Sequence, residues 1–184
     1  MPEKQKPEGF SSPNAKKALL EGLYQHYLLE ELTPLPASDR QAAAKRLAMR
    51  SATQFGELGE SRRLELAEHM VKLTQDSRYE DLFTPQALIE FQISGIVGTR
   101  SVIGQIDRLV IYDDRLWLVD FKSGAPKTDN PPQSYILQLA LYADILGQIY
   151  PDKPIQADII WLADFSATSL SAAQRQSALQ SAQL

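Results

Sequence analysis

The spacing of apolar positions divides the chain into a helical first part and a second part where strands and helices alternate. Residues 14 to 32 carry Leu19, Leu20, Leu23, Tyr27 and Leu28 at helical spacing, and Pro34 and Pro36 end the run. Ser38 with Gln41 makes a capping-box pattern that opens a second helix to about residue 50. Gly56 and Gly59 mark a turn, and a third helix is expected from about Ser61 to Gln75. The period then shortens to two. Residues 87 to 93, 101 to 112 and 115 to 122 are rich in β-branched and aromatic residues and read as strands. A Gly/Pro/Asn-rich loop covers Ser123 to Pro132, and a strongly apolar helix follows from about Gln133 to Ile149. Pro151 and Pro154 stop it; residues 155 to 162 read as a fourth strand, and the Ala/Gln/Ser-rich tail from Ser169 reads as a helix. Residues 1 to 13, with Pro2, Pro7 and Pro13 among lysines and glutamates, read as a disordered leader or linker. The expectation is an α/β domain over residues 14 to 184, with a central mixed sheet of about four strands, flanking helices and an N-terminal helical segment.

Composition narrows the picture. At 184 residues the chain suits one domain and is short for two. It has no cysteine, which excludes disulfides, a thiolate metal site and a cysteine nucleophile, and suits a reducing cytoplasm. No apolar run is long enough to span a membrane, and the N-terminus lacks the apolar stretch of a secretory signal. The net charge of −4 argues against a broadly basic, phosphate-neutralising surface. Lys16 and Lys17, then Lys45, Arg46 and Arg50, then Arg62 and Arg63 form local basic clusters, whose plainest reading is solvated helix faces. No G-x-x-x-x-G-K-[ST] loop is present, so ATP binding is not expected.

The second and third strands meet at Asp113-Asp114, a short turn. A two- or four-residue loop pairs Leu109 with Leu118 and Ile111 with Leu116, and further along Asp107 with Asp120 and Gln105 with Lys122. Strand alternation puts all eight on one face, apolar near the turn and charged beyond it. Two carboxylates so opposed have Cβ atoms roughly 5 Å apart and repel. Stability alone gives no reason for this; a divalent cation between them does, and Lys122 beside it completes a receptor for a phosphate group and an activated water. Without a cation, the plain alternative is an exposed Asp120 and Lys122 at a strand end.

Gly104-Gln105-Ile106-Asp107-Arg108-Leu109, then Leu118-Val119-Asp120-Phe121-Lys122-Ser123, then Gln138-Leu139-Ala140-Leu141-Tyr142 resemble the PD-(D/E)XK nuclease superfamily. More closely they look like the C-terminal nuclease domain of the AddA subunit of AddAB helicase–nucleases, of the RecB exonuclease type. The resemblance implies a restriction-endonuclease-like fold in which Asp107 and Asp120 are metal-binding carboxylates and Lys122 the catalytic lysine. Gln138 and Tyr142 match a helix motif that supports the site and DNA; four residues apart, they share one helix face. That face also carries Tyr135, Ile145 and Ile149, so a core stripe is the other reading of Tyr142. Gly22 and His26 fit a Gly-x-x-x-His pattern whose histidine is a metal ligand, although Glu21 stands where the family often has arginine. Glu90 falls where the family places an acidic residue on the first strand; sharing a face with Leu88 and Gln92, it is otherwise simply exposed. His69 matches nothing and reads as surface.

These matches imply a Mg²⁺-dependent deoxyribonuclease, with Mn²⁺ as a substitute, acting as an exonuclease in double-strand break repair and recombination. His26, Asp107, Asp120 and the carbonyl of Phe121 would hold the metal, with Glu90, Lys122, Gln138 and Tyr142 completing the catalytic set. The implied partners are DNA, in particular single-stranded ends, a helicase motor domain and a second nuclease or helicase subunit, with no membrane and a cytoplasmic location. The alternative from another class is a catalytically inactive DNA-binding or scaffolding module of the same fold, and a hydrolase acting on RNA or a structured substrate also stays open. The leader stands where a motor would join, so the chain is an excised domain, a truncated product or a stand-alone nuclease.

Overall fold

The structure, a computed structural model, describes residues 13–183. The leader expected over residues 1 to 13 therefore lies outside the described residues, apart from Pro13, which opens the first helix. The elements in order are α1 (Pro13–Leu32), α2 (Ala37–Arg50), α3 (Ala52–Phe55), α4 (Glu60–Thr74), β1 (Leu88–Val97), β2 (Arg100–Ile111), β3 (Leu116–Lys122), α5 (Gln133–Ile149), β4 (Ile155–Trp161), β5 (Ala167–Ser169) and α6 (Ala172–Ser181). Among the described residues, no helix is long and apolar enough to cross a membrane.

The sheet has five strands in the order β1-β2-β3-β4-β5. Neighbours are antiparallel except β3 and β4, which are parallel and joined through α5. This is a mixed α/β sheet, one strand larger than the pattern suggests; β5 is only three residues long and too short to register as a period. β3 is buried from Leu116 to Phe121, as a central strand covered on both faces must be. Alternation sorts its side chains into two cores. Trp117, Val119 and Phe121 pack with Val110, Ile160 and Leu162 under α1, α2 and α4. Leu116 and Leu118 pack with Leu109, Ala157 and Ile159 under α5.

Several local expectations change. Ser38 is not a cap: α2 opens at Pro36 without a side-chain cap, and Ser38 Oγ donates to Asp39 Oδ1 at 3.1 Å. A capping box does form at α6, between Ser171 and Gln174. On α1 the buried stripe is Tyr24, Leu28, Leu29 and Leu32, whereas Leu19 and Leu23 remain 47% and 55% exposed. The basic clusters are only partly solvated faces. Lys45, Arg46 and Arg50 are not buried, but Arg63 is, and it donates to Ala48 O at 2.8 Å, while Arg62 is paired with Glu21. His69 is not free surface either; its Nε2 donates to Leu162 O at 2.8 Å and its ring stacks on Phe165.

Candidate active site

β2 and β3 meet in the register that a four-residue turn requires. Leu109 pairs with Leu118 and Ile111 with Leu116, and Tyr112 N–H closes the turn on Arg115 O at 2.9 Å. The ladder then stops at Arg108 and Val119. One step further the strands have parted, and Asp107 spans the opening: its Oδ2 accepts from Phe121 N–H at 2.7 Å. A carboxylate thus replaces a ladder carbonyl at the point where the sheet opens.

The irregularity continues on the other side of β2. β1 and β2 hold one register from Leu88↔Leu109 to Val97↔Arg100 but skip the pair Glu90 and Asp107. Glu90 has φ 48°, a left-handed backbone that costs a non-glycine residue energy and is commonly found at functional sites. Ile106 and Leu109 both pack toward α5, although strict alternation sets residues three apart on opposite faces. The faces therefore switch at Glu90 and Asp107. This corrects one expectation: Gln105 does not face Lys122 but pairs with Gln92, and its side chain donates to Glu90 O at 3.2 Å. Nor do Leu88, Glu90 and Gln92 share one simple face, since Leu88 packs on the α5 core and Gln92 is exposed.

Asp120 and Lys122 follow Leu118 on the α5 side of β3. Lys122 Nζ lies 2.7 Å from Asp120 Oδ2 and donates to Gln138 Oε1 at 3.0 Å, while it sits 4.6 Å from the ring centre of Tyr135. The ion pair is close but poorly angled, so Asp120 Oδ2 is buried without a hydrogen bond. Tyr142 is buried in the α5 core, and its hydroxyl accepts from Gln105 N–H at 3.3 Å. Gly104 permits this, because a Cβ there would stand 2.4 Å from the Tyr142 ring.

His26 reaches the opening from α1. Its Nε2 lies 3.2 Å from Phe121 O, a group that only accepts, so Nε2 carries the proton and Nδ1 keeps its lone pair 3.7 Å from Asp107 Oδ1. Gly22 suits this approach: a Cβ there would stand 2.6 Å from Ser123 Oγ and 3.3 Å from its Cβ, so a larger residue would make Ser123 shift where α1 meets the end of β3. Arg108 fastens the other end of the same contact. It is 1% exposed, donates to Asp107 O at 2.6 Å, Leu29 O at 2.8 Å and Thr33 Oγ1 at 2.9 Å, and lies over the Phe121 ring. Arg108 stands in the Gly104–Leu109 motif, but the sequence assigned it no role, because its neighbours show its strand and not that it faces the helices.

The electrostatics are those of crowded, dry carboxylates. Burial, then the neighbouring Asp107, pushes Asp120 up to about 6, with Lys122 partly offsetting both. Burial likewise raises Asp107, against the Phe121 N–H and Lys122. Burial and then Asp107 push Glu90 up to about 7. Burial lowers His26, keeping its imidazole neutral, the form that binds metal. One ligand atom each from His26, Glu90 and Asp107 lies within 4.8 Å of the others. Asp120, expected as a ligand, is not in that set: its Oδ2 pairs with Lys122 Nζ at 2.7 Å, and Glu90 stands in the set instead. Two carboxylates and one imidazole, two of the three orienting about Phe121, fit a divalent cation of the Mg²⁺ or Mn²⁺ class, which takes oxygen ligands and tolerates one nitrogen.

No curated protein matches the sequence. Among solved structures, one described as SSO0001 resembles the chain at 14% identity with a TM-score of 0.36, over 93% of this chain and 86% of that one. VC1899 from Vibrio cholerae resembles it at 13% identity with a TM-score of 0.34, over 96% of this chain and 53% of that one. This chain thus spans about half the length of VC1899. The model of the PD-(D/E)XK nuclease superfamily matches residues 8–184, and the chain belongs to that superfamily.

Proposed function

We propose that the protein is a Mg²⁺-dependent DNA exonuclease domain that hydrolyses phosphodiester bonds at the opening between β2 and β3. The observation that carries this reading is the pair of buried carboxylates, Asp107 and Asp120, held beside Lys122 where the strands part, with burial raising both. A domain kept only to bind or scaffold gains nothing from carboxylates whose ionisation the fold opposes. His26, Asp107, Asp120 and the carbonyl of Phe121 would hold the cation, with Glu90 alongside. When bound, it supplies positive charge to a phosphate oxygen and acidifies a water.

The chain's own residues do the rest. Lys122, steadied by Gln138 and Tyr135, directs its ammonium to the phosphate and the charge that develops on it. Glu90, pushed up to about 7, is poised near neutral pH to take a proton from a water on the β1 side. Asp107 holds the strands at their parting through the Phe121 N–H. Tyr142 fixes β2 against α5. We further propose the setting of an AddAB/RecB-type helicase–nuclease in the cytoplasm, with single-stranded DNA ends as substrate and a helicase motor and second subunit as partners in double-strand break repair. Incubating the protein with single-stranded DNA, duplex DNA and RNA under Mg²⁺ titration tests this. Cleavage of RNA alone would replace the substrate class, and no cleavage of any strand would remove the reading.

A further inference from the structure

Leu19 and Leu23 stand at helical core spacing on α1, yet they are 47% and 55% exposed. A single exposed leucine needs no explanation. These two, however, border one open cleft of about 180 Å³, which His26, Lys122 and Tyr135 also line. Its lining combines two aliphatic side chains, one aromatic ring, the candidate metal-site histidine and the ammonium of Lys122. Gly22, between the two leucines, adds no side chain to fill the space, and Ser123 excludes one. Tyr135 is held in place: its ring packs against Trp161 at 6.2 Å and carries Lys122 at 4.6 Å.

The cleft is too small to seat a docking helix, which is about 10 Å across. Its chemistry asks for a flat apolar group joined directly to an anion, with the apolar group between leucine and tyrosine and the anion at Lys122. A nucleotide has that construction. We infer that Leu19, Leu23 and Tyr135 form a slot for the nucleobase next to the scissile phosphate. The inference rests on the nuclease reading above. A base enters such a slot only when it is free of its stack, so the slot favours unpaired strand. Because every base has an apolar face, contact of this kind holds the strand without reading sequence.

The test uses short fluorescein-labelled single-stranded DNA and the same strand with one abasic nucleotide placed at successive positions. Affinity is measured with Ca²⁺ in place of Mg²⁺, and kcat/KM with Mg²⁺. The comparison protein is Leu19→Ser/Leu23→Ser, whose sites are exposed, with circular dichroism as the folding control and sedimentation as the check on assembly. In the parent, one abasic position should weaken binding about fivefold to tenfold. The double variant should lose a similar factor on the intact strand and lose little more when the base is missing. Intact-strand affinity equal to the parent's, or no abasic position that matters to the parent, would overturn the slot. A parent that self-associates through these leucines, shown by dissociation of the variant, would overturn it too. Cleavage without any abasic effect sinks the slot alone, whereas a parent that cuts no strand in any divalent ion removes the nuclease reading and the slot with it.

Discussion

Replacing Asp120 with Asn should stabilise the metal-free protein at alkaline pH while destroying its site. Asp120 is 3% exposed, and its carboxyl is pushed from the ordinary 3.8 up to about 6 by burial and by Asp107, after Lys122 has given what help it can. Each pH unit of such a shift corresponds to about 1.4 kcal/mol, so ionising Asp120 costs the fold about 3 kcal/mol at most. The direction follows from proton binding. A raised carboxyl pKa means the folded state holds its proton longer than the unfolded state, so the cost is absent below about pH 4, grows between about 4 and 6, and is complete above that. Asn removes the charge but leaves Lys122 with Gln138 and Tyr135 as its remaining partners, which reduces the gain to about 2 kcal/mol. For a domain of this size that is about 5 °C in Tm. Thermal unfolding in excess chelator at pH 8 should show the gain, and at about pH 4.5 most of it should be gone. Mg²⁺ at pH 8 should raise the parent's Tm and leave that of Asp120→Asn nearly unchanged. A variant less stable than the parent at pH 8, or one equally stabilised at both pH values, would refute the reasoning.

Gly22→Ala should weaken Mn²⁺ binding in calorimetry by crowding Ser123 where α1 meets β3, and Ser123→Gly in the same protein should restore much of it; unchanged affinity in Gly22→Ala would show that the contact does not position His26. His26→Ala should weaken Mn²⁺ binding with unchanged circular dichroism, because the imidazole is neutral and presents its lone pair to Asp107; equal affinity in the two proteins would return His26 to a structural role. Cleavage should rise from pH 6 to pH 8 as Asp120, at about 6, and Glu90, at about 7, lose their protons; a flat or falling profile would show that neither carboxylate is required in its ionised form.

The β2–β3 register was legible because a short turn between two alternating strands permits few pairings, and Leu109, Ile111, Leu116 and Leu118 chose among them. So was α5, whose Gln138 and Tyr142 lie on the face turned to the sheet. Alternation failed where the backbone leaves the β region. Glu90 at φ 48° turns the faces over, so Gln105 drops away from Lys122, and the pattern contains no mark of that turn because glutamate gives no hint of a left-handed backbone. Long-range closeness was equally hidden. Gly22 meets Ser123, and Arg108 ties Asp107 to Leu29 and Thr33, across separations that no local period reports. Leu19 and Leu23 have the spacing of core residues, yet they stay about half exposed beside the cleft at the end of β3, so period did not decide their burial.

Joint action of Asp107, Asp120, Lys122 and His26 on a phosphodiester through a divalent cation is the proposal on which the others depend. Its most direct test is the initial rate of single-stranded DNA cleavage by the parent and by Asp120→Ala, measured across a Mg²⁺ titration with a chelator control. The parent's rate should rise with Mg²⁺ to a plateau and vanish in chelator, and Asp120→Ala should cleave at no Mg²⁺ concentration while its fold persists. Cleavage by Asp120→Ala at the parent's rate, or full parental activity in excess chelator, would contradict it.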